Sequence, residues 1–328
     1  APYPPVLHSL ASASTITWLI HQKFELSIPL YRQEKEWEAL GLRLSRATMS
    51  NWLLVVYRDW LVHIVHRLKL ELLKQRYLHI DETHVQVLKE PGRKNTSDSY
   101  MWVYCSIRDA VNPIRYFEYQ PGRSGKYPEA FLREYEGYIH TDAYSGYNAV
   151  SGVKRCLCYT HLRRAFVDAL PKDIHNSEAS KPAEAILRLN QLFNIESELE
   201  ALPPDQKKKE RLIREKPLLE AFWSWAEKSA IGELPKSKLS KAFHYALNNR
   251  EGFWNYLEDG NCSISNSLAE NCIRPFVIGR KNWLFSGSPK GAEASAGIYT
   301  LVETAKANGL APMKYIKYIL SDMPGSAF

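Results

Sequence analysis

The sequence predicts a mixed α/β fold, and three observations lead to it. Residues 76–161 alternate with the period of strands, residues 162–259 turn helical and polar, and a new helix starts after Gly260. Within 76–161 the order is three strands, a helix and two further strands, which describes a mixed sheet and not a simple parallel alternation of strand and helix.

Each element has its own signal. Across residues 9–75 apolar side chains recur at three and four, the helical period. In this region LYRQEKEWEALGLRLSRATMSNWLLVVYRDW reads helix, short turn, helix, with Gly41 in the turn and Ser45 as N-cap of a second helix. That helix opens with small polar residues and one arginine. Such a start suits the recognition helix of a helix-turn-helix, with Arg46 and Asn51 facing DNA. A plain helical hairpin packed on the next domain fits the same pattern. RYLHIDETHVQVLK, SYMWVYCSI and IRYFEYQ then follow as strands joined by short turns, which implies an antiparallel meander. A helix over 128–135, a strand over 138–141 and the strand-like VKRCLCY complete the sheet. Charged QKKKERLIREK and the tryptophan-bearing FWSWAEK mark the helical block, and SNSLAENCIRPF starts the closing helix with Ser265 or Asn266 as cap. A last helical pair is divided at Gly309. The domains expected are 1–75 helical, 76–161 with 260–291 as the core, 162–259 as a helical insertion, and 292–328 as a C-terminal helical pair.

Composition narrows the class. The chain has 328 residues, of which 45% are hydrophobic, enough for a sizeable core and against global disorder. A surplus of 43 Lys and Arg over 36 Asp and Glu suits a polyanionic partner such as nucleic acid, although a moderately basic enzyme shares it. Five scattered cysteines fit a reducing cytosol better than a disulfide framework. No apolar run reaches the roughly 18 residues that a membrane span needs, and no signal peptide is visible. A cytoplasmic protein with no membrane partner is expected. The chain begins at Ala1 rather than Met, so its true start is expected upstream.

Three acids stand out. Asp81 lies in a strand among Leu78, Ile80, Val85 and Val87, and alternation puts it on the face of Thr83, Val85 and Val87. A carboxylate in an apolar strand is costly without a positive partner. Asp142 follows a strand in YIHTDAYSGYN, and Glu270 lies on the closing helix with Leu268 and Ile273 as its core-facing neighbours. Hard oxygen ligands of this kind suit Mg²⁺ or Mn²⁺. Two such ions can hold attacking and leaving oxygens in line across a phosphorus. Residue chemistry does not by itself link the three, and each alone also reads as a surface or ion-paired acid.

The link comes from resemblance. HIDETHVQV, YIHTDAYSGYNAV and SNSLAENCIRPFVIGRKNWLFSGSPKGAEASAGIYTLVETAKANG resemble the three catalytic blocks of insertion-sequence family sixty-six transposases, which are Asp-Asp-Glu transposases. The resemblance runs from about Arg76 onward, and the last block is the most specific. It implies a ribonuclease-H-like mixed sheet with a helical insertion before the glutamate. It also implies Asp81, Asp142 and Glu270 as catalytic triad and metal ligands for two Mg²⁺ or Mn²⁺ ions. The activity implied is cleavage at transposon ends and strand transfer into target DNA, by a homo-oligomer assembled on DNA that is nucleoid-associated when bound.

Further roles follow by the same route. Arg274, Arg280 and Lys281 would hold DNA phosphates near the metal site, and Arg123 and Lys126 would touch another phosphate. Trp283 and Phe285 would stack on an unpaired terminal base or, more simply, belong to the core. Cys158 and His161 resemble a Cys-x-x-His element, read as structural. Zinc is the alternative, with Cys156 and His175 as the remaining ligands. The family's cysteine-rich zinc-binding segment has no counterpart here, since no cysteine precedes Cys105. A non-catalytic DNA-binding protein and a stand-alone nuclease on the same core are the rival readings.

Overall fold

The computed structural model describes residues 3–171 and 180–324, and confirms a mixed α/β architecture. The chain forms two compact units. One comprises Ala1–Gln75, Ile80–Phe131 and Leu268–Phe328, and the other Arg76–His79 and Leu132–Ser267.

The first unit opens with α1 (Ala13–Ile20), α2 (Leu30–Ala39), α3 (Arg46–Val56) and α4 (Val62–Leu73). Two π-helical turns, His21–Glu25 and Tyr57–Leu61, interrupt this run. Ser45 caps α3 as expected, its hydroxyl accepting the Thr48 amide at 3.1 Å, and Gly41 takes the left-handed φ of +84° that the preceding turn requires. Strand β1 (Tyr77–Val87) enters this unit at Ile80, followed by β2 (Asp98–Ser106), β3 (Arg115–Gln120) and α5 (Lys126–Phe131). The strand order is β3-β2-β1, and β2 pairs antiparallel with β3 through Met101↔Tyr119 and Val103↔Phe117.

The second unit contains the start of β1, then β4 (Gly137–Thr141), β5 (Val153–Leu157), α6 (Tyr159–Val167), α7 (Lys181–Glu198), α8 (Pro204–Glu210), α9 (Lys216–Ala230), α10 (Lys238–Asn248) and α11 (Arg250–Trp254). Here β1 runs parallel to β4, with His79 opposite His140, and β4 runs parallel to β5.

The chain then returns to the first unit with α12 (Ser267–Trp283), β6 (Phe285–Ser286), α13 (Pro289–Ala307) and α14 (Pro312–Asp322). Two-residue β6 lies parallel to the end of β1, a pairing too short for any periodicity to announce. Helix α13 is buried on most of its circumference. Its Thr300 and Thr304 hydroxyls accept the Phe117 and Arg115 amides at 2.8 and 3.0 Å. A strand edge that would otherwise present unpaired donors is thereby closed by a helix.

The second unit is held from inside by one cation. Arg211, on a π-helical turn at Arg211–Glu215, has a side chain 1% exposed. It donates to both Glu196 carboxylate oxygens at 2.5 and 2.8 Å, and to the carbonyls of Tyr256, Asp259 and Cys262 at 3.1, 3.1 and 2.9 Å. Beside it Glu215 accepts the Tyr256 hydroxyl at 2.5 Å. Burial first, and the Glu196 carboxylate second, push Glu215 up to about 8. Its folded value lies above its unfolded one, so the protonated carboxyl stabilises the unit fully below about 4.5. That stability is lost as pH rises through about 8. Denaturant titrations from pH 5 to 8.5 should show stability declining with rising pH because of this group. The decline should vanish in Glu215→Gln, and an unchanged slope there would assign the effect elsewhere.

Gly260 is a steric requirement of the same region. A Cβ there would stand 1.8 Å from the Pro204 carbonyl oxygen, and backbone cannot rotate away as a side chain can. Gly260→Ala is expected to destabilise the unit by about 1–3 kcal/mol, read as a lower denaturation midpoint.

Candidate functional site

The acids singled out from the sequence fall on the elements expected of them. Asp81 is half-buried in β1, and its Oδ1 accepts the Glu82 amide at 2.9 Å. Val85 and Val87 are buried in the core, as the alternation requires. Between them and Asp81, Thr83 accepts the Arg280 Nη1 at 2.9 Å. That bond ties the later part of α12 to β1, and burial lowers the Arg280 pKa from its ordinary value. Glu82 has a side chain only 2% exposed, and the Arg123 guanidinium pairs with it at 2.6 Å. Arg123, expected at a phosphate, thus has an internal partner.

Glu270 lies in the first turn of α12 and is half-buried. The row that faces the core is Ala269, Ile273 and Phe276; Leu268, expected there, is only half-buried. Spacing of three and four from Ala269 explains the difference, because it selects a face rotated by one residue. Arg274 and Lys281 are exposed on the same helix, with Pro275 inside it. Elsewhere in this unit Arg46 and Asn51 are exposed on α3, and the Arg46 guanidinium lies 5.8 Å from the Tyr31 ring. Lys126 is exposed, 5.1 Å from the Tyr127 ring. Trp283 is half-buried between Phe276 and Tyr299, each 6.1 Å away, whereas Phe285 is exposed.

In the second unit Asp142 directly follows β4. Its Oδ1 accepts the Tyr144 amide at 2.9 Å, the turn an aspartate makes with its own backbone two residues on. Arg155 on β5 clamps this turn. It donates to the carbonyls of Asp142 and Tyr144 at 2.6 and 2.8 Å and to Thr141 Oγ1 at 2.7 Å. Sequence reasoning missed Arg155; the available signal was an arginine next to a buried position in a strand following the aspartate turn. On α10, burial and then the Asp142 carboxylate push the Tyr245 phenol well above its ordinary range.

A histidine pair, also missed, sits at the base of both aspartate segments. His79 and His140 are register partners with stacked rings 4.1 Å apart. Asp81 follows the first by two residues and Asp142 the second by two. His79 Nδ1 bonds Asn266 Oδ1 at 3.0 Å. His140 donates from Nδ1 to the Leu78 carbonyl at 3.2 Å and accepts the Ser263 amide at Nε2.

His140, Cys156 and Cys262 each bring a possible ligand atom within 4.8 Å of the others. Both ring nitrogens of His140 are already engaged. Hydrogen bonding with Cys156, then burial, keep Cys262 a thiol. Within the protein these three side chains form a packed polar cluster. Cys156, offered as a zinc ligand beside Cys158 and His161, belongs to this cluster; His175 lies outside the described residues. Cys158 Sγ accepts the Asn266 amide at 3.1 Å. Burial opposes its thiolate, but hydrogen bonds from His161 and Asn266 outweigh burial and hold the thiol below its ordinary value.

These observations define a mixed α/β protein with acids on a strand, after a strand and in the first turn of a helix. The chain belongs to the transposase IS66 family, whose pattern matches residues 8–294. Its curated relatives include two uncharacterised proteins of Sinorhizobium fredii (strain NBRC 101917 / NGR234). The one called y4qI is 28% identical over 98% of this chain, and y4hP is 26% identical over 98%. The chain spans 61% of the length of either relative. No solved structure matched it. Among the described residues, no helix is long and apolar enough to cross a membrane.

Proposed function

We propose that this chain is the catalytic part of a DNA transposase that cleaves transposon ends and joins them to target DNA, with Asp81, Asp142 and Glu270 as its metal-holding acids. The observation that carries this reading is the placement of three half-buried carboxylates in the three family blocks. Two of them stand at the same two-residue offset from a stacked, register-paired histidine couple.

The donor set fits a hard divalent cation. It consists of carboxylate oxygens from a strand, a turn and a helix, and such cations take the rest of their ligands from water and phosphate. Bound Mg²⁺ or Mn²⁺, two ions in this reading, supplies Lewis-acid polarisation of the phosphate. The protein's own share is positioning and charge. Arg155 holds the turn that presents Asp142, and the Arg280 bond to Thr83 steadies the strand that presents Asp81. Exposed Arg274 and Lys281 take DNA phosphates, as do exposed Arg46, Asn51 and Lys126. Water attacks phosphorus at the element end and the 3′-oxygen leaves as a hydroxyl. That hydroxyl then attacks a target phosphodiester and displaces its 3′-oxygen. Two element ends must be held at once, so assembly on DNA into at least a dimer belongs to the proposal. So do a ribonuclease-H-like core, a DNA-reading role for α2 and α3, and a nucleoid-associated place in a bacterial cytoplasm.

The test is cleavage of a labelled duplex carrying the native element end, with Mg²⁺, with Mn²⁺ and with a chelator. End-specific nicking or joining that the chelator abolishes is the expected result. DNA binding without metal-dependent cutting, in this chain and in a version extended to the relatives' length, would favour a non-catalytic DNA-binding protein. Cutting without regard to element ends, and without joining, would favour a stand-alone nuclease.

A further inference from the structure

A row of polar side chains crosses the sheet of the second unit. His79 on β1 is the register partner of His140 on β4, and His140 is the register partner of Cys156 on β5. All three are buried, and the two imidazole rings are stacked. The segment Ser263–Asn266 is bonded to this row. His140 Nε2 accepts the Ser263 amide at 2.9 Å, and His79 Nδ1 donates to Asn266 Oδ1 at 3.0 Å. Asn266 is itself 1% exposed and gives its amide to Cys158 Sγ.

Each partner stands just ahead of one of the three acids. Asp81 comes two residues after His79, Asp142 two after His140, and Glu270 four after Asn266. One buried network thus ties together the chain leading into all three, although His79 and Asn266 are 187 positions apart. Fold stability alone does not call for it. An apolar pair would fill the same space without desolvating an imidazole and an amide, whereas a hydrogen bond fixes direction as well as distance.

We infer that the His79–Asn266 bond, backed by the His140 stack, positions the metal-holding acids by fixing the strand that leads to Asp81 and the residue that precedes α12. These are positioning residues, which act on the metal only through the carboxylates that follow them. The inference rests on the proposed reading of those acids as ligands, and gives the buried polar row of the second unit a share in setting metal affinity.

The test uses the full chain with a duplex carrying the element end. Mn²⁺ binding is read from the loss of the free-ion electron paramagnetic resonance signal, and single-turnover cleavage is followed across a Mg²⁺ series. Two variants separate the bond from the stack. His79→Phe keeps an aromatic ring beside His140 and loses Nδ1, whereas His79→Asn loses the ring and keeps an N–H donor near the Nδ1 position. His79→Phe should weaken Mn²⁺ binding about tenfold or more and raise the Mg²⁺ needed for half-maximal cleavage to match, because groups that orient metal ligands are worth about 10–100-fold. Duplex binding, which phosphate contacts dominate, should stay within about twofold. His79→Asn should recover most of the loss. Asn266→Ala removes the acceptor instead and should reproduce the His79→Phe result, so the test stands even where the phenyl ring destabilises the unit. Unchanged metal affinity in His79→Phe and Asn266→Ala would overturn the inference, as would a loss that His79→Asn shares in full. A loss that disappears when the assay is cooled below the variants' unfolding range would make the network merely structural and overturn it too. Asp142→Asn is the control for the reading underneath. If it binds Mn²⁺ like wild type, both ideas fall; if it loses Mn²⁺ while His79→Phe does not, only the positioning role falls.

Discussion

Asp142→Asn and Glu270→Gln are each expected to cut metal-dependent strand cleavage by about 10³-fold or more, with duplex binding kept within about twofold. A metal site contributes several kcal/mol of transition-state stabilisation, and each 1.36 kcal/mol is a factor of about ten in rate. Losing the charge of one oxygen ligand therefore removes about three factors of ten. Local structure makes the substitutions interpretable. Asp142 Oδ1 accepts the Tyr144 amide, and an asparagine oxygen accepts it equally well, so the turn survives while the charge goes. Glu270→Gln is isosteric in the first turn of α12. Single-turnover cleavage of a labelled element end is the measurement. Variants that cut at the wild-type rate would end the case for these acids and return the protein to the DNA-binding reading.

The largest effect expected on stability is that of Arg211→Met. Removing this guanidinium leaves the Glu196 carboxylate without its cation and takes one donor from each of the Tyr256, Asp259 and Cys262 carbonyls inside the second unit. Breaking a buried pair by deleting one partner costs about 3–5 kcal/mol, most of it from the charge left behind. The consequence reaches the histidine pair, because the same loop carries Ser263 and Asn266, which bond His140 and His79. Denaturant unfolding would read the loss as a lower midpoint. Arg211→Met with Glu196→Met should recover part of it, since two apolar groups replace an orphaned charge. If the single variant unfolded like wild type, the network would be incidental to stability.

What was legible in advance was local. The strand around Asp81, the Ser45 cap, the turn at Gly41 and the start of α12 at Ser267 all follow from periodicity and capping, which the backbone reports within a few residues. The one-residue error at Leu268 shows the limit. Apolar character alone does not say which of two adjacent positions faces the core until α12 has a partner to pack on. Composition favoured an anionic partner, yet it did not show that Arg123 is engaged by Glu82.

The sequence by itself determined the mixed α/β kind of fold and the elements on or just after which Asp81, Asp142 and Glu270 lie, because strand alternation and helix caps are properties of short segments. Tertiary structure alone decided that Arg155 clamps the Asp142 turn, that His79 and His140 stack, and that Arg211 is sealed into the second unit. Each of those relations joins residues distant in the chain, and which side chains meet is settled only when strand register and helix faces are packed together.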